Sequence, residues 1–347
     1  DNFSKSEKEI YDLRKQKINF LNELTSNSFP TKFNESVKVA DVIKEHSEIK
    51  DGEHTGVNVS IRGRILNARS FGKLLFYDLL DQSGKIQLLI NSGEIDELYL
   101  KLFENFDIGD IIAVNGEIIK TKKGELSIKV NETTILSKSL RTLPEKWHGL
   151  KDKETRFRQR YLDLIVNPES KRILETRSNV VRLLREYLHG TEFIEVETPI
   201  LQPKAGGAIA KPFQTHHNAL NLDMYLRIAP ELYLKRLVIG GFEKVFEIGK
   251  IFRNEGIDQT HQPEFTMLES YQAYADMNIV MDMVEDMCNY VFDNLEIDKK
   301  LEFNGEEASF SGPWKRVSMY DLVSEKFGIK INFNSKFEDI SLSLIHI

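Results

Sequence analysis

The sequence predicts an α+β fold in two domains, a β-barrel followed by a domain that mixes long helices with short strands. The chain has 347 residues, and at about 100–200 residues per domain this length predicts two domains. A series of five short strands follows residue 55, and long amphipathic helices follow residue 172. We therefore place the N-terminal helix and connector at 1–54, the barrel at 55–140, a hinge at 141–172 and the second domain at 173–347.

Composition narrows the class of protein. Lys plus Arg number 47 and Asp plus Glu number 54, a net charge of −7, with 41% hydrophobic and 29% charged residues. This balance is typical of a globular protein and excludes disordered and fibrous classes. The sequence has no apolar run of about 18 residues and no signal-type segment, so we expect a soluble, cytoplasmic protein with no membrane partner. The single cysteine, Cys288, excludes an internal disulfide and a zinc site built from cysteines.

The N-terminal segment predicts an amphipathic helix over residues 3–26, because Ile10, Leu13, Phe20 and Leu24 recur at helical spacing. A proline-containing break follows this helix. A polar connector is then expected up to Gly56.

The barrel is predicted from a change of the apolar period to two at Val57. The five predicted strands begin at Val57 and then cover 74–80, 86–90, 111–119 and 126–130. A helix is expected between the third and fourth strands, around 95–106. Five strands with a helix after the third is the order of an OB-fold, a common binder of single-stranded nucleic acid. On the pattern alone, another small barrel remains an alternative.

The second domain is expected to begin with a long helix. Residues 140–170 are basic and polar, as in a hinge, and the apolar period of 3.6 starts at Ile173. Residues 193–199 then predict a strand closed by a proline. The apolar residues of a later helix, 279–295, are interpreted as packing, with Cys288 as buried filler.

Residues 246–271 predict a strand, a loop and a second strand that together carry candidate ligand-binding side chains. Alternation along the second strand places an aromatic ring, a carboxylate and a phenol on one face, those of Phe265, Glu269 and Tyr271. With Arg253 and His261 nearby, the guanidinium is suited to phosphate oxygens and the ring to a base. The pattern favours a nucleotide site, and an ordinary hairpin with a surface ion pair stays open.

These segments resemble a known family. Phe252-Arg-Asn-Glu-Gly256, His261-Gln-Pro-Glu-Phe-Thr266 and Glu269 resemble motif 2 of the class II aminoacyl-tRNA synthetases, and the helix and strand before Pro199 resemble motif 1. Three further stretches are similar to the lysine-specific members of subclass IIb rather than to the aspartyl and asparaginyl members: 206–208, 225–236 and 254–256. The resemblance covers about residues 10–325.

The resemblance implies an OB-fold anticodon-binding domain followed by an antiparallel-sheet catalytic domain. It also implies a lysine–tRNA ligase, which uses ATP and Mg²⁺ to convert L-lysine to lysyl-adenylate and transfers lysine to the 3′ end of lysine tRNA. The motif 1 helix implies a homodimer.

Carried over by position, the resemblance implies an ATP site of five residues: Arg253, Glu255, His261, Gln262 and Phe265. Arg253 is the implied catalytic residue and holds the α-phosphate and the lysine carboxylate during in-line attack. This is catalysis by positioning and electrostatics, without a covalent enzyme intermediate. Phe265 is expected to stack on adenine, His261 to approach the β- or γ-phosphate, and Glu255 to hold the adenine end.

The implied lysine site consists of Gly207, Glu231, Arg253, Glu269 and Tyr271. Glu231 and Glu269 are expected to take the α-amino group, Tyr271 to lie near the ε-amine, and Gly207 to allow close backbone approach. A buried ammonium without a partner costs several kcal/mol, which explains clustered carboxylates. Glu231 and Phe265 also have alternative roles without the resemblance. The negative charge of Glu231 is favourable at a helix N-terminus, and Phe265 could be a core residue of its strand.

In the barrel, the resemblance implies an anticodon site. Phe76 is the expected stacking aromatic, with Arg69, Gln87 and Glu125 as readers of base edges. The alternative is that Phe76 fills the barrel core.

The sequence departs from the family in one respect. The third motif, Gly-x-Gly-x-Asp-Arg, and the acidic helix with the Mg²⁺-binding glutamates do not occur in the 347 residues. We therefore expect a chain truncated at its C-terminus, without metal-binding residues of its own, that alone adenylates lysine weakly or not at all.

Three alternatives remain at this stage. The first is a noncatalytic tRNA-binding protein made of a barrel and a dimer platform. The second is a paralogue that attaches lysine to a protein, against which the intact barrel argues. The third is aspartate as substrate, against which Gly207 and Tyr271 argue, since an acidic side chain calls for arginine or lysine at those positions.

Overall fold

The structure is a computed structural model that describes residues 5–25, 28–33, 36–144, 150–258, 260–328 and 330–335. It divides the chain into two compact units, residues 1–170 and 171–347. The end of the predicted second domain, from residue 336, lies outside the described residues. No helix in the described ranges is both long enough and apolar enough to cross a membrane.

The first unit contains a closed five-stranded barrel in the order β1-β2-β3-β5-β4. Its strands are β1 His54–Phe71, β2 Leu74–Leu80, β3 Lys85–Asn91, β4 Ile111–Lys120 and β5 Leu126–Ser137. Neighbouring strands pair antiparallel except β3 and β5, which are parallel. Helix α1 spans Lys5–Leu24, and helix α3, Glu97–Asn105, lies between β3 and β4. The predicted N-terminal helix, barrel strands and inserted helix are therefore confirmed.

Alternation along the strands builds the barrel core. On β2, Tyr77 and Leu79 are buried inside the barrel. Because successive strand side chains point to opposite faces, Phe76 and Asp78 belong to the outer face of β2. The interpretation of Phe76 as core filler is therefore wrong.

The polar connector before the barrel contains a helix that the sequence analysis missed. Helix α2 spans Val39–Glu45, and its Val39 and Val42 belong to the barrel core. The Val39 N–H donates to Asp81 Oδ2 at 3.0 Å. A seven-residue helix is marginal in isolation, so packing against the barrel, which the local sequence does not reveal, stabilises it.

The segment predicted as a hinge also contains helices. Helix α4 spans Lys153–Arg158, helix α5 spans Arg160–Val166, and the long helix α6, Pro168–Gly190, begins five residues before the predicted Ile173. Asp163 is fully buried and accepts hydrogen bonds from Arg156 Nε and Arg160 Nη1, each at 2.7 Å. Two of the basic residues of this segment thus neutralise a buried carboxylate.

The second unit contains a three-stranded sheet in the order β11-β10-β6. Strand β6 is Ile194–Glu195, β10 is Lys244–Phe252 and β11 is Glu264–Gln272; β10 pairs parallel with β6 and antiparallel with β11. The predicted strand–loop–strand segment is confirmed, whereas the strand predicted over 193–199 is only two residues long.

The second unit contains further strands and helices. A second sheet has the order β7-β9-β8, and β12 and β13 form a hairpin. The bounds are β7 Leu201–Gln202, β8 Gln214–His217, β9 Leu222–Leu226, β12 Lys300–Phe303, β13 Glu306–Ser309, α7 Glu231–Ile239, α8 Met277–Leu295 and α9 Met319–Phe327. On α8, Met283 and Met287 pack on the core, but Ile279 and Val280 are exposed and Cys288 is only half-buried. The interpretation of that whole apolar stripe as packing was therefore wrong.

Candidate active site and nucleic-acid interface

Arg253 follows the last residue of β10 and is directed over an aromatic ring. Its N–H donates to the Pro263 carbonyl at 2.9 Å, which holds the two ends of the loop together. Its Cζ lies 5.2 Å from the centroid of the Phe265 ring. Within the described residues, Arg253 Nε is a buried side-chain nitrogen without a hydrogen-bond partner. A buried guanidinium nitrogen in this state is suited to an anionic ligand.

The loop between β10 and β11 carries Glu255, His261 and Gln262, and Phe265 lies at the start of β11. The backbone N–H of Lys211 donates to Glu255 Oε1 at 3.3 Å. His261 Nδ1 lies 2.8 Å from Asp258 Oδ2, and a backbone hydrogen bond from Thr260, followed by that with His261, lowers the pKa of Asp258 to about 2. Glu255, His261 and Gln262 are exposed, whereas Phe265 is half-buried. The structure thus places these residues around one loop.

Four of the five predicted lysine ligands lie close to one another: Gly207, Glu231, Glu269 and Tyr271. Arg253 lies instead over Phe265, which precedes Glu269 by four residues on β11. Gly207 has a φ of +88°, a conformation that L side chains rarely adopt, and a Cβ there would lie 2.9 Å from the Cβ of Glu231. Glu231 is the first residue of α7, and Glu269 and Tyr271 are two residues apart on β11. A glycine at 207 therefore lets the backbone approach the Glu231 side chain closely.

Glu269 and Tyr271 form a hydrogen-bonded pair. The Tyr271 hydroxyl donates to Glu269 Oε2 at 3.1 Å. Burial raises the pKa of Glu269, the hydrogen bond from Tyr271 opposes that rise, and the charge of Glu231 adds to it. Burial, and then the charge of Glu269, raise the pKa of the Tyr271 hydroxyl well above its usual value. The pair therefore offers a carboxylate and a neutral phenol to a cation.

Lys235 on α7 also lies beside Glu231 and Tyr271. Its Nζ lies 2.6 Å from Glu231 Oε1 and 5.9 Å from the centroid of the Tyr271 ring. Glu231 and Lys235 are four residues apart on α7, so the helical spacing itself was a signal. A cationic side chain of the chain itself thus shares the proposed ammonium pocket.

A buried ion pair behind the pocket was missed entirely. Arg227 Nη1 lies 2.5 Å from Glu247 Oε1, and the two side chains are only 2% and 5% exposed. The Thr198 hydroxyl donates to Glu247 Oε2 at 2.6 Å. The two charges are twenty residues apart in sequence, and no local pattern predicts their pairing.

In the barrel, the four predicted anticodon residues line one groove of about 870 Å³: Arg69, Phe76, Gln87 and Glu125. Four lysines line the same groove, Lys85, Lys120, Lys122 and Lys123. An aromatic ring with basic neighbours is the combination that single-stranded nucleic acid requires.

Hydrogen bonds orient two of these residues. Arg69 Nη2 donates to Gln87 Oε1 and to Asp78 Oδ1, each at 3.2 Å. Gln87 Nε2 donates to Ser127 Oγ at 2.8 Å. Asp78 and Ser127 were not predicted, and their positions on the outer face of β2 and in the parallel neighbour of β3 were the available signals.

The described ranges contain no group of three or more His, Cys, Asp or Glu side chains able to hold a metal ion.

Comparisons with known proteins match both units. Residues 59–136 match the family model "OB-fold nucleic acid binding domain", and residues 152–342 match "tRNA synthetases class II (D, K and N)". A lysine–tRNA ligase of Clostridium botulinum strain Hall is 47% identical over 342 residues, covering 98% of this chain and 67% of the relative. A lysine–tRNA ligase of Clostridium perfringens strain SM101 is 49% identical over 331 residues, covering 94% of this chain and 64% of the relative. The chain thus spans about two thirds of the length of these relatives.

Proposed function

This chain belongs to the class II tRNA synthetases of the aspartate, lysine and asparagine group, among the lysine–tRNA ligases, and from this we propose that it takes part in loading lysine onto tRNA. In the proposed reaction ATP converts L-lysine to lysyl-adenylate, and lysine then passes to the 3′ end of lysine tRNA. The observation that carries the proposal is the Glu269–Tyr271 pair with the charge of Glu231 acting on both residues, and it is joined by the buried Nε of Arg253, which has no partner among the described residues. The comparisons give no support to a noncatalytic tRNA-binding protein.

The proposed ATP site is built on Arg253 and Phe265. The guanidinium, held over the Phe265 ring, binds the α-phosphate and the lysine carboxylate and offsets their charges as the carboxylate attacks phosphorus and pyrophosphate leaves. Phe265 stacks on adenine. Glu255 and His261, with Gln262, surround the remainder of the nucleotide from the loop between β10 and β11.

The proposed lysine site is built on carboxylates, which suit a cationic substrate. Glu231 and Glu269 take the α-amino group, and Tyr271 lies near the ε-amine. Gly207 keeps the wall of the pocket free of a side chain at its closest approach to Glu231. Two carboxylates offset the cost of taking an ammonium out of water, and they repel an acidic substrate such as aspartate.

The support for Mg²⁺ as a cofactor comes from the family alone. Among the described residues, no group of three or more His, Cys, Asp or Glu side chains could hold this ion. We place the reaction in the cytoplasm, where tRNA is charged for translation.

We further propose that the chain forms a homodimer through helix α6. Support comes from the exposed apolar side chains of Ile173 and Leu174, which are 55% and 42% exposed and suit a self-complementary surface. Light scattering would then give about twice the chain mass of 40.1 kDa, and a monomeric mass would contradict the dimer.

The proposed function is tested by the choice of amino acid. Equilibrium dialysis of the chain against radiolabelled L-lysine, L-arginine, L-aspartate and L-asparagine, each with a non-hydrolysable ATP analogue, is expected to retain lysine selectively. Binding is the readout because the proposed lysine ligands all lie within this chain. Retention of aspartate in preference to lysine, or of none of the four, would contradict the proposal.

The barrel proposal predicts a loss of tRNA binding in Phe76→Ala. A base stacked on an aromatic ring contributes about 1–3 kcal/mol, so the Kd for a lysine tRNA transcript should rise about tenfold in filter binding. Phe20→Ala on α1, a phenylalanine that is 42% exposed and does not line the groove, is the control. Equal affinities of the two variants would remove Phe76 from the site.

A further inference from the structure

Arg227 and Glu247 form a buried unit directly behind the proposed lysine pocket, and the reaction as proposed does not use them. Both residues are almost fully buried. Beyond its contact with Glu247, Arg227 donates from Nε to the Lys250 carbonyl at 2.9 Å and from Nη1 to the Thr198 carbonyl at 3.2 Å. A buried charge with this many partners is costly to build, which calls for an explanation beyond packing.

The backbone of Arg227 joins the segments that deliver the site. Its N–H donates to the Ile200 carbonyl at 2.9 Å, and its carbonyl accepts from the Phe252 N–H at 3.0 Å. Phe252 precedes Arg253, and Arg227 itself lies four residues before Glu231. The residue therefore ties the end of β10 to the loop that leads into α7.

The space for the guanidinium is reserved by a glycine. A Cβ at Gly249 would collide with Arg227 Nη2 and come within 3.0 Å of Glu247 Oε1. Any side chain at this position would therefore displace the ion pair.

The pair faces one particular carboxylate. Glu247 on β10 and Glu269 on β11 are register partners, and directly opposite side chains of an antiparallel pair have Cβ atoms about 5 Å apart. Among the described residues, Tyr271 on the same strand and Glu231 on α7 also act on Glu269, and Lys235 on α7 pairs with Glu231. Besides burial, the charge of Glu247 raises the pKa of Glu269 and that of Arg227 lowers it.

We propose that Arg227 and Glu247 are positioning residues for the proposed lysine site: Arg227 offsets the charge that Glu247 presents opposite Glu269, so that the charge balance of this pair sets the pH range of lysine binding. The inference rests on the proposed function, because it requires Glu269 to meet the ammonium of lysine. Arg227 cancels the repulsion that Glu247 would otherwise exert on Glu269.

The two members of the pair must then have opposite effects. In Arg227→Met the uncompensated charge of Glu247 makes Glu269 take up its proton at a higher pH, so lysine binding is lost at a higher pH. In Glu247→Gln the remaining charge of Arg227 keeps Glu269 ionised to a lower pH, so binding persists further into acid. The double variant, without either charge, should return close to the wild type.

The test measures the Kd for L-lysine from pH 4 to pH 8 by equilibrium dialysis, with circular dichroism to check the fold. We expect the pH midpoints of the two single variants to move in opposite directions, each by about one pH unit, the lower end of the effect of a charge at this range. The matched control is the exposed pair Lys250 and Glu264 on the same two strands, and the double variant Lys250→Met, Glu264→Gln should leave the midpoint unchanged.

The outcomes separate this inference from the proposed function. Absence of lysine binding by the wild-type chain would overturn the proposed function and the inference with it. Normal wild-type binding with unmoved midpoints, or with both midpoints moved in the same direction, would overturn the inference alone. If Arg227→Met fails to fold, the isosteric Glu247→Gln and the charge-free double variant still test the inference. If the pair had only a structural role, the pH midpoint of lysine binding in Glu247→Gln would not move toward acid.

Discussion

Replacing Arg253 with methionine is expected to weaken the binding of a non-hydrolysable lysyl-adenylate analogue about a hundredfold. Truncating one partner of a buried, hydrogen-bonded charge pair costs about 2–5 kcal/mol, and about 2.7 kcal/mol corresponds to a hundredfold change. Methionine keeps much of the length and the contact with the Phe265 ring, so the loss reports the guanidinium. In the free chain its Nε is buried without a partner within the described residues, which leaves it available to the ligand.

Isothermal titration of the analogue measures this effect. Arg236→Met is the matched control, because Arg236 also lies over an aromatic ring, with its Cζ 4.7 Å from the centroid of Tyr233, and is exposed on α7. Its affinity should stay within about twofold of the wild type. A comparable loss in both variants would mean that cation–ring contacts stabilise the unit and that Arg253 has no special part in binding.

Replacing Glu269 with glutamine is expected to raise the Kd for L-lysine at neutral pH by at least about tenfold. Hydrogen bonds to charged groups contribute about 1.5–3 kcal/mol, and the variant removes the charge while keeping an acceptor for the Tyr271 hydroxyl. Glu264→Gln is the matched control, since Glu264 lies on the same strand but is exposed and pairs with Lys250. Equal Kd values for the two variants would place the ammonium elsewhere.

The same variant has a signature in pH. Burial raises the pKa of Glu269 above its ordinary value, so the wild type should lose lysine binding on acidification at a higher pH than an exposed glutamate would dictate. Above that pH the carboxylate is ionised and binding is complete. In Glu269→Gln this acid limb should disappear from a plot of Kd against pH, and its persistence would show that another group controls it.

Much of the fold was readable in the sequence because it depends on local periodicity. The alternation from Val57 onwards located the barrel strands, and the strand–loop–strand around Arg253 followed the same rule. Helix α2 was missed because its seven residues gain their stability from Val39 and Val42 packing in the barrel, a contact with residues distant in sequence. Strand β6 was overestimated because only two residues of that segment find a partner on β10.

The residues of the candidate site also fall into those that local motifs predict and those that depend on tertiary contacts. The resemblance identified Arg253, Glu269 and Tyr271 one residue at a time, since motifs are local strings. The Arg227–Glu247 pair and the Asp78 contact with Arg69 escaped it, because each depends on two elements meeting in space. Lys235 was missed as well: its helical spacing from Glu231 is typical of an ion pair, whereas nothing local indicates its place over Tyr271.

The sequence by itself thus determined the α+β class and the strands of the barrel, and the resemblance supplied the residues predicted for the site. Tertiary structure alone decided which charges are paired and buried, and it left Nε of Arg253 without a partner within the described residues while Arg227 gained four contacts. The physical reason is range: backbone periodicity is set by neighbouring residues, whereas desolvation and ion pairing depend on groups brought together from distant parts of the chain.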